Sequence, residues 1–137
     1  MKKDIITLTI PSKPDYISVI RLTSSSICNT MGFNIEDIED IKVSISEACI
    51  NALNNSSEIN IVFQIEEDKL IVNVDNVSYE NINGKEINKE MELSLLIIES
   101  LMDKVNFSDK GVEMIKYIED GIKWKQKNIF NTTVQRS

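Results

Sequence analysis

From Asp4 to Ile10 the chain alternates. Ile6, Leu8 and Ile10 point one way, and Ile5, Thr7 and Thr9 the other. A period of two predicts a strand, ended by Pro11 and Pro14. From Asp15 to Met31 the period lengthens, with Ile17, Ile20, Ile27 and Met31 at helical spacing and Gly32 as a C-terminal stop. Asn34 predicts the cap of a second helix, with Glu36 and Asp37 complementing the dipole of its first turn. That helix reaches about Asn55 and buries Ile38, Ile41, Ile45, Ala48 and Ala52. Glu58–Glu66 and Lys69–Asp75 alternate again, through Ile59, Ile61, Phe63 and Ile65 and then Leu70, Val72 and Val74. The short link between them suits a hairpin. Residues 76–90 are polar and asparagine-rich, hence a loop. Met91–Met102 is apolar on most of its circumference, which predicts a well-buried helix. Lys104–Phe107 and Val112–Glu119 form a second hairpin around Asp109, Lys110 and Gly111.

The order strand, helix, helix, two strands, helix, two strands predicts an α+β fold. It is a two-layer sandwich: a mixed, mostly antiparallel sheet with the helices on one face. Residues 1–120 make one domain, and 121–137 a polar tail expected to fray, with Trp124 and Phe130 as isolated anchors.

Composition narrows the partners. The chain has 137 residues, 42% of them apolar, enough for one core. Its net charge of -7 argues against nucleic acid and anionic membrane, both negative themselves, and suits a basic protein surface. The absence of histidine removes Ser-His-Asp and Cys-His chemistry and most zinc sites. Cys28 and Cys49 lack metal-ligand spacing and sit in buried-helix patterns, as inert thiols in a reducing cytoplasm. No apolar run reaches the length of a membrane span. The opening MKKDIITLTI lacks the apolar core of a signal peptide and reads as the first strand.

The candidate chemistry lies in VSISEACINALNNSS, Val43–Ser57. Residues at i, i+4 and i+8 drift only about 40° per step, so Glu47, Asn51 and Asn55 form one stripe beside the buried face. A carboxylate and amides at a core rim can hold a metal through oxygen or orient a hydroxyl. The same stripe also reads as the wet side of an amphipathic helix, and spacing leaves both readings open.

Longer stretches add to this. IPSKPDYISVIRLT, MGFNIEDIEDIKVSISEACINA, IVNVD, IIESLMDKV and MIKYI run in order across most of residues 4–119. Together they resemble the anti-sigma factors of bacterial partner-switching systems, the serine-protein kinases of the sigma-B and sporulation type, within the histidine kinase-like ATPase superfamily. The resemblance implies the Bergerat, or histidine kinase-like ATPase, fold, a homodimer, and ATP with magnesium as cofactor. It implies that Glu47 is the general base on a partner's serine hydroxyl and that Asn51, in the signature Glu47-Ala48-Cys49-Ile50-Asn51, holds magnesium on the phosphates. Asn55 continues the nucleotide stripe. Asp75 would accept a hydrogen bond from the adenine amino group. Arg21 would contact the partners, a sigma factor and an anti-anti-sigma protein, as a fork suited to carboxylates.

The glycine boxes of that family are missing. Asp75-Asn76-Val77 stands where D-x-G is expected, and Val77 would be strained if its position needs positive φ. Met91-Glu92-Leu93-Ser94-Leu95 stands where a glycine-rich turn presents backbone N–H groups to phosphate, and Glu92 would present a carboxylate instead. The last strand lacks the threonine that supports the adenine aspartate, and the segment between the boxes has only Gly84. The reading is an anti-sigma-like regulator with a weakened or lost ATP site. The alternative is an active ATP- and magnesium-dependent serine kinase acting on an anti-anti-sigma protein.

Overall fold

The structure, a computed structural model, describes residues 4–78 and 89–118. The expected tail, its anchors Trp124 and Phe130, and most of the expected 76–90 loop lie outside the described residues. The strands are β1 (Asp4–Pro11), β2 (Glu58–Ile65), β3 (Lys69–Asp75), β4 (Lys104–Ser108) and β5 (Gly111–Tyr117). The helices are α1 (Ile17–Met31), α2 (Ile35–Ala52) and α3 (Lys89–Leu101).

The sheet order is β1-β2-β3-β5-β4. Every pairing is antiparallel, where a mixed sheet is expected from the sequence. The reason is the placement of β5, which enters between β3 and β4 and so separates the two strands that run the same way. Strand alternation then sorts the faces. Ile6, Phe63, Val72, Met114 and Val105 share one row across the sheet, and Phe63, Val72 and Met114 are fully buried under the helices. The next row, Thr7, Val62, Asn73, Glu113 and Asn106, is on the other face and is mostly polar. This is the expected two-layer architecture, helices on one face only.

The helix ends follow their local chemistry. Pro14 opens a single 3-10 turn, Pro14–Tyr16, and α1 proper starts only at Ile17. Gly32 closes α1 in the left-handed region (φ 91), its N–H reaching the carbonyls of Cys28 and Asn29. Asn34 caps α2, its side chain accepting from the Asp37 N–H at 2.7 Å. The regular helix stops at Ala52, short of Asn55, and Asn54 and Asn55 continue as a turn.

The central helix α2 packs against both α1 and α3. The expectation of a well-buried α3 is corrected here. Leu93 and Leu96 are 59% and 62% exposed, and of the helix only Ile98 is fully enclosed. A helix at the end of a layer has a neighbour on one flank, so apolar content around its circumference does not translate into burial.

One charge is enclosed at the base of the layer. Lys116 on β5 donates to the Leu101 carbonyl at the end of α3 (2.6 Å) and lies 3.9 Å from both Asp37 and Asp40 in the first turns of α2. Burial pushes the Asp37 carboxyl above its ordinary range, with Lys116 pulling the other way. With its folded-state value raised, Asp37 costs native stability as pH climbs from 3.8 through that value.

Candidate functional site

The C-terminal half of α2 lines a cavity of about 420 Å³. Glu47, Ile50, Asn51, Asn54 and Asn55 form one wall, Ser78 stands at the far side of β3, and Glu90, Met91 and Ser94 on α3 close it. Its size suits a small molecule. The structure therefore brings Glu47, Asn51 and Asn55 together, as their spacing along one helix face requires.

Asn51 is fully engaged. Its Nδ2 donates to the Ser78 carbonyl at 2.9 Å, and its Oδ1 accepts from the Ser78 N–H at 2.9 Å and from Asn55 Nδ2 at 3.2 Å. Asn55 Nδ2 also donates to the Asn76 carbonyl at 2.7 Å. Glu47 is half-buried and has no hydrogen bond or ion pair among the described residues.

Asp75 goes elsewhere. Val74 faces the helices at 1% exposure, so its neighbour Asp75 must face the opposite side of the sheet. There it lines a second cavity, about 320 Å³, with Asn73, Lys110 and Glu113. The alternation Leu70, Val72, Val74 that predicts the strand already predicts this orientation. The feared strain at Val77 is also absent. The left-handed torsion falls on Asn76 (φ 64), a residue type that tolerates it, and Val77 inserts into the core.

A magnesium ion needs free oxygen ligands, and the Asn51 oxygen already accepts two hydrogen bonds. The described cavity lining holds two carboxylates, Glu47 and Glu90, and no basic side chain. The first turn of α3 carries Glu90 and Glu92, which occupy the helix end where an anion would otherwise be attracted. Among the described residues, the lining thus offers the phosphates of a triphosphate no cationic side chain. Among the described residues, no group of three or more acidic, cysteine or histidine side chains could hold a metal ion. Burial pushes the Cys28 and Cys49 thiols up to about 12, which leaves them protonated and unreactive.

Arg21 lies on the opposite flank of α2. Its Nη1 donates to Ser46 Oγ at 3.0 Å, and Ser46 in turn donates to the Lys42 carbonyl at 2.7 Å. The guanidinium is half-buried, on a helix whose Val19 and Leu22 are 40% and 71% exposed. Ser46 is a functional candidate that the sequence alone does not single out, because its role depends on a contact 25 residues away. Ser78 is another: nothing in its neighbours marks it as the partner of Asn51. No helix among the described residues is long and apolar enough to cross a membrane.

Comparison with known proteins adds two findings. The family model for the histidine kinase-like ATPase domain matches residues 10–116. The serine-protein kinase RsbW of Bacillus cereus (strain ATCC 10987 / NRS 248) is 41% identical over 136 residues, covering 83% of this chain and 85% of the relative. The protein of the same name from Staphylococcus aureus (strain JH9) is 37% identical over 142 residues, covering 86% and 89%.

Proposed function

The chain belongs to the family of histidine kinase-like ATPase domains, and from that premise we propose that it is an anti-sigma-type regulator. It binds a sigma factor and the anti-anti-sigma protein that competes for it, and its ATP site is lost. The observation that carries this reading is the contrast between the two flanks of α2. On one, Ser46 accepts a hydrogen bond from Arg21 and fixes the guanidinium of a residue type enriched at interface hot spots. On the other, the cavity meets any anion with Glu47 and Glu90.

A second reading has one observation in its favour. Glu47 faces the cavity with no partner among the described residues, so its carboxylate is free to accept the proton of a partner's serine hydroxyl. The relatives named above are serine-protein kinases. Calorimetric titration with Mg-ATP and Mg-ADP separates the two. No heat is expected, and no thermal stabilisation at millimolar nucleotide. Micromolar binding, with phosphate transfer to a partner's serine that disappears in Glu47→Ala, would put the kinase first.

The regulator is further proposed to be a homodimer, seamed along β1. Among the described residues this strand pairs only with β2, which leaves its outer edge without a strand neighbour there. Between Ile5 and Ile10 it carries no charge and no proline, the usual protections of an edge, and Ile5 and Ile6 are exposed. Sedimentation equilibrium is expected to give twice the 15.6 kDa chain mass. Ile6→Lys should shift it to the monomer, and a monomeric parent protein would refute the seam.

A further inference from the structure

We propose that Asn51 and Asn55 are a staple fastening the exit of β3 to α2, a structural role in place of the ligand role implied by their position. The proposal deepens the lost-nucleotide reading and rests on it only for what the cavity no longer binds. The staple itself stands on four hydrogen bonds.

Beyond Asp75 the chain leaves the sheet. The Asn76 N–H still reaches the Lys110 carbonyl at 2.8 Å, but φ then turns positive and the ladder ends. Val77 enters the core at 4% exposure, with Ser78 half-buried after it and Asn76 exposed before it. Backbone polar groups that leave a ladder need new partners, from the protein or from water. Three of them find partners on α2 and in the turn that follows it. Asn55 Nδ2 takes the Asn76 carbonyl at 2.7 Å, while the Asn51 amide takes both the carbonyl and the N–H of Ser78, each at 2.9 Å. The side-chain amide acts here as a peptide group does in a ladder, donating and accepting at once. Asn55 Nδ2 also bridges to Asn51 Oδ1 at 3.2 Å, which ties the two halves of the staple together.

This geometry explains why amides stand at both positions. A carboxylate at 51 could accept from the Ser78 N–H but would oppose the Ser78 carbonyl. A magnesium ligand has the reverse preference, since a carboxylate binds the ion at least as well as an amide oxygen. The two roles thus make opposite demands on Asn51→Asp.

The test is hydrogen exchange and thermal unfolding of the nucleotide-free protein and of Asn51→Ala, Asn51→Asp and Asn55→Ala. The Ser78 amide is expected to exchange roughly ten-fold faster in both Asn51 variants, as loss of a half-buried hydrogen bond implies. The unfolding temperature should fall by about 5 °C, with Asp no better than Ala. Asn55 is exposed and beyond the regular helix, so Asn55→Ala keeps the protein testable if the Asn51 variants do not fold. It should show a smaller loss, centred on residues 76–78. Unchanged Ser78 exchange and unfolding temperature in the folded variants would overturn the staple. So would magnesium-dependent ATP binding that Asn51→Asp preserves and Asn51→Ala abolishes without altering the nucleotide-free protein. A thermal shift of the parent protein by Mg-ATP, alongside loosened Ser78 in the variants, would refute the lost-nucleotide reading and uphold the staple.

Discussion

Gly111→Ala is expected to remove a large part of the stability of the domain. Gly111 opens β5 opposite Asp75, with φ at 153, outside the range that side chains ordinarily adopt. A Cβ there would overlap the Val74 carbonyl oxygen and lie 2.9 Å from the Asp75 Cα. Both obstacles are backbone in the middle of a five-stranded sheet, so neither can swing aside. Relief requires β5 to move off β3, which breaks the ladder that carries Val72, Met114, Val74 and Val112 into the core. The expected loss is about 3–5 kcal/mol, against a total of about 5–15 kcal/mol for a typical domain. Gly32→Ala is the control. It too has positive φ, but its Cβ would meet only the Ile118 side chain at an ordinary 3.8 Å, so the cost should be about 1 kcal/mol. Urea unfolding measures both. A Gly111→Ala midpoint near that of Gly32→Ala would show that β3 and β5 yield more easily than their pairing implies.

The second large effect is on binding. Arg21→Ala should weaken the proposed complex with a sigma factor by at least about thirty-fold, the scale of a central arginine hot spot. Arg21→Lys should recover little, because an ammonium keeps the charge but not the planar fork that Ser46 aligns. Folding should change little in either variant, since one half-buried side-chain hydrogen bond is worth about 1 kcal/mol. Surface plasmon resonance with the sigma factor immobilised reads the affinity, and circular dichroism checks the fold. Full affinity in Arg21→Ala would move the interface away from α1. The Glu47→Ala protein should bind as the parent does, because Glu47 faces the cavity on the other side of α2.

Much of this was legible along the chain, and the limits are physical. Alternation in β1, β2 and β3 reports which side chains face the helices, because the strand period is a property of the backbone and needs no tertiary information. It even orients Asp75 away from Glu47. The caps at Asn34 and Gly32 were equally readable, since each acts on its own helix end within four residues. The placement of Glu47 and Asn51 follows from helical pitch, and the turn after Ala52 brings Asn55 into the same cavity wall.

Other features depend on docking. Apolar positions surround α3, yet only its place at the end of the helix layer leaves Leu93 and Leu96 exposed. The torsion that makes glycine necessary at 111 reads in sequence as a hairpin turn. Asp109 and Lys110 keep negative φ, and the constraint comes from the approach of β3, far earlier in the chain. What Asn51 does is likewise invisible locally, because its partner Ser78 is 27 residues away. The sequence by itself determined the elements, their faces and their caps, all of them products of short-range sterics and periodicity. Only the tertiary structure decided which flank of each helix is covered and which partner each amide, arginine and glycine meets. Those contacts join residues far apart in the chain and exist only once the sheet has closed under the helices.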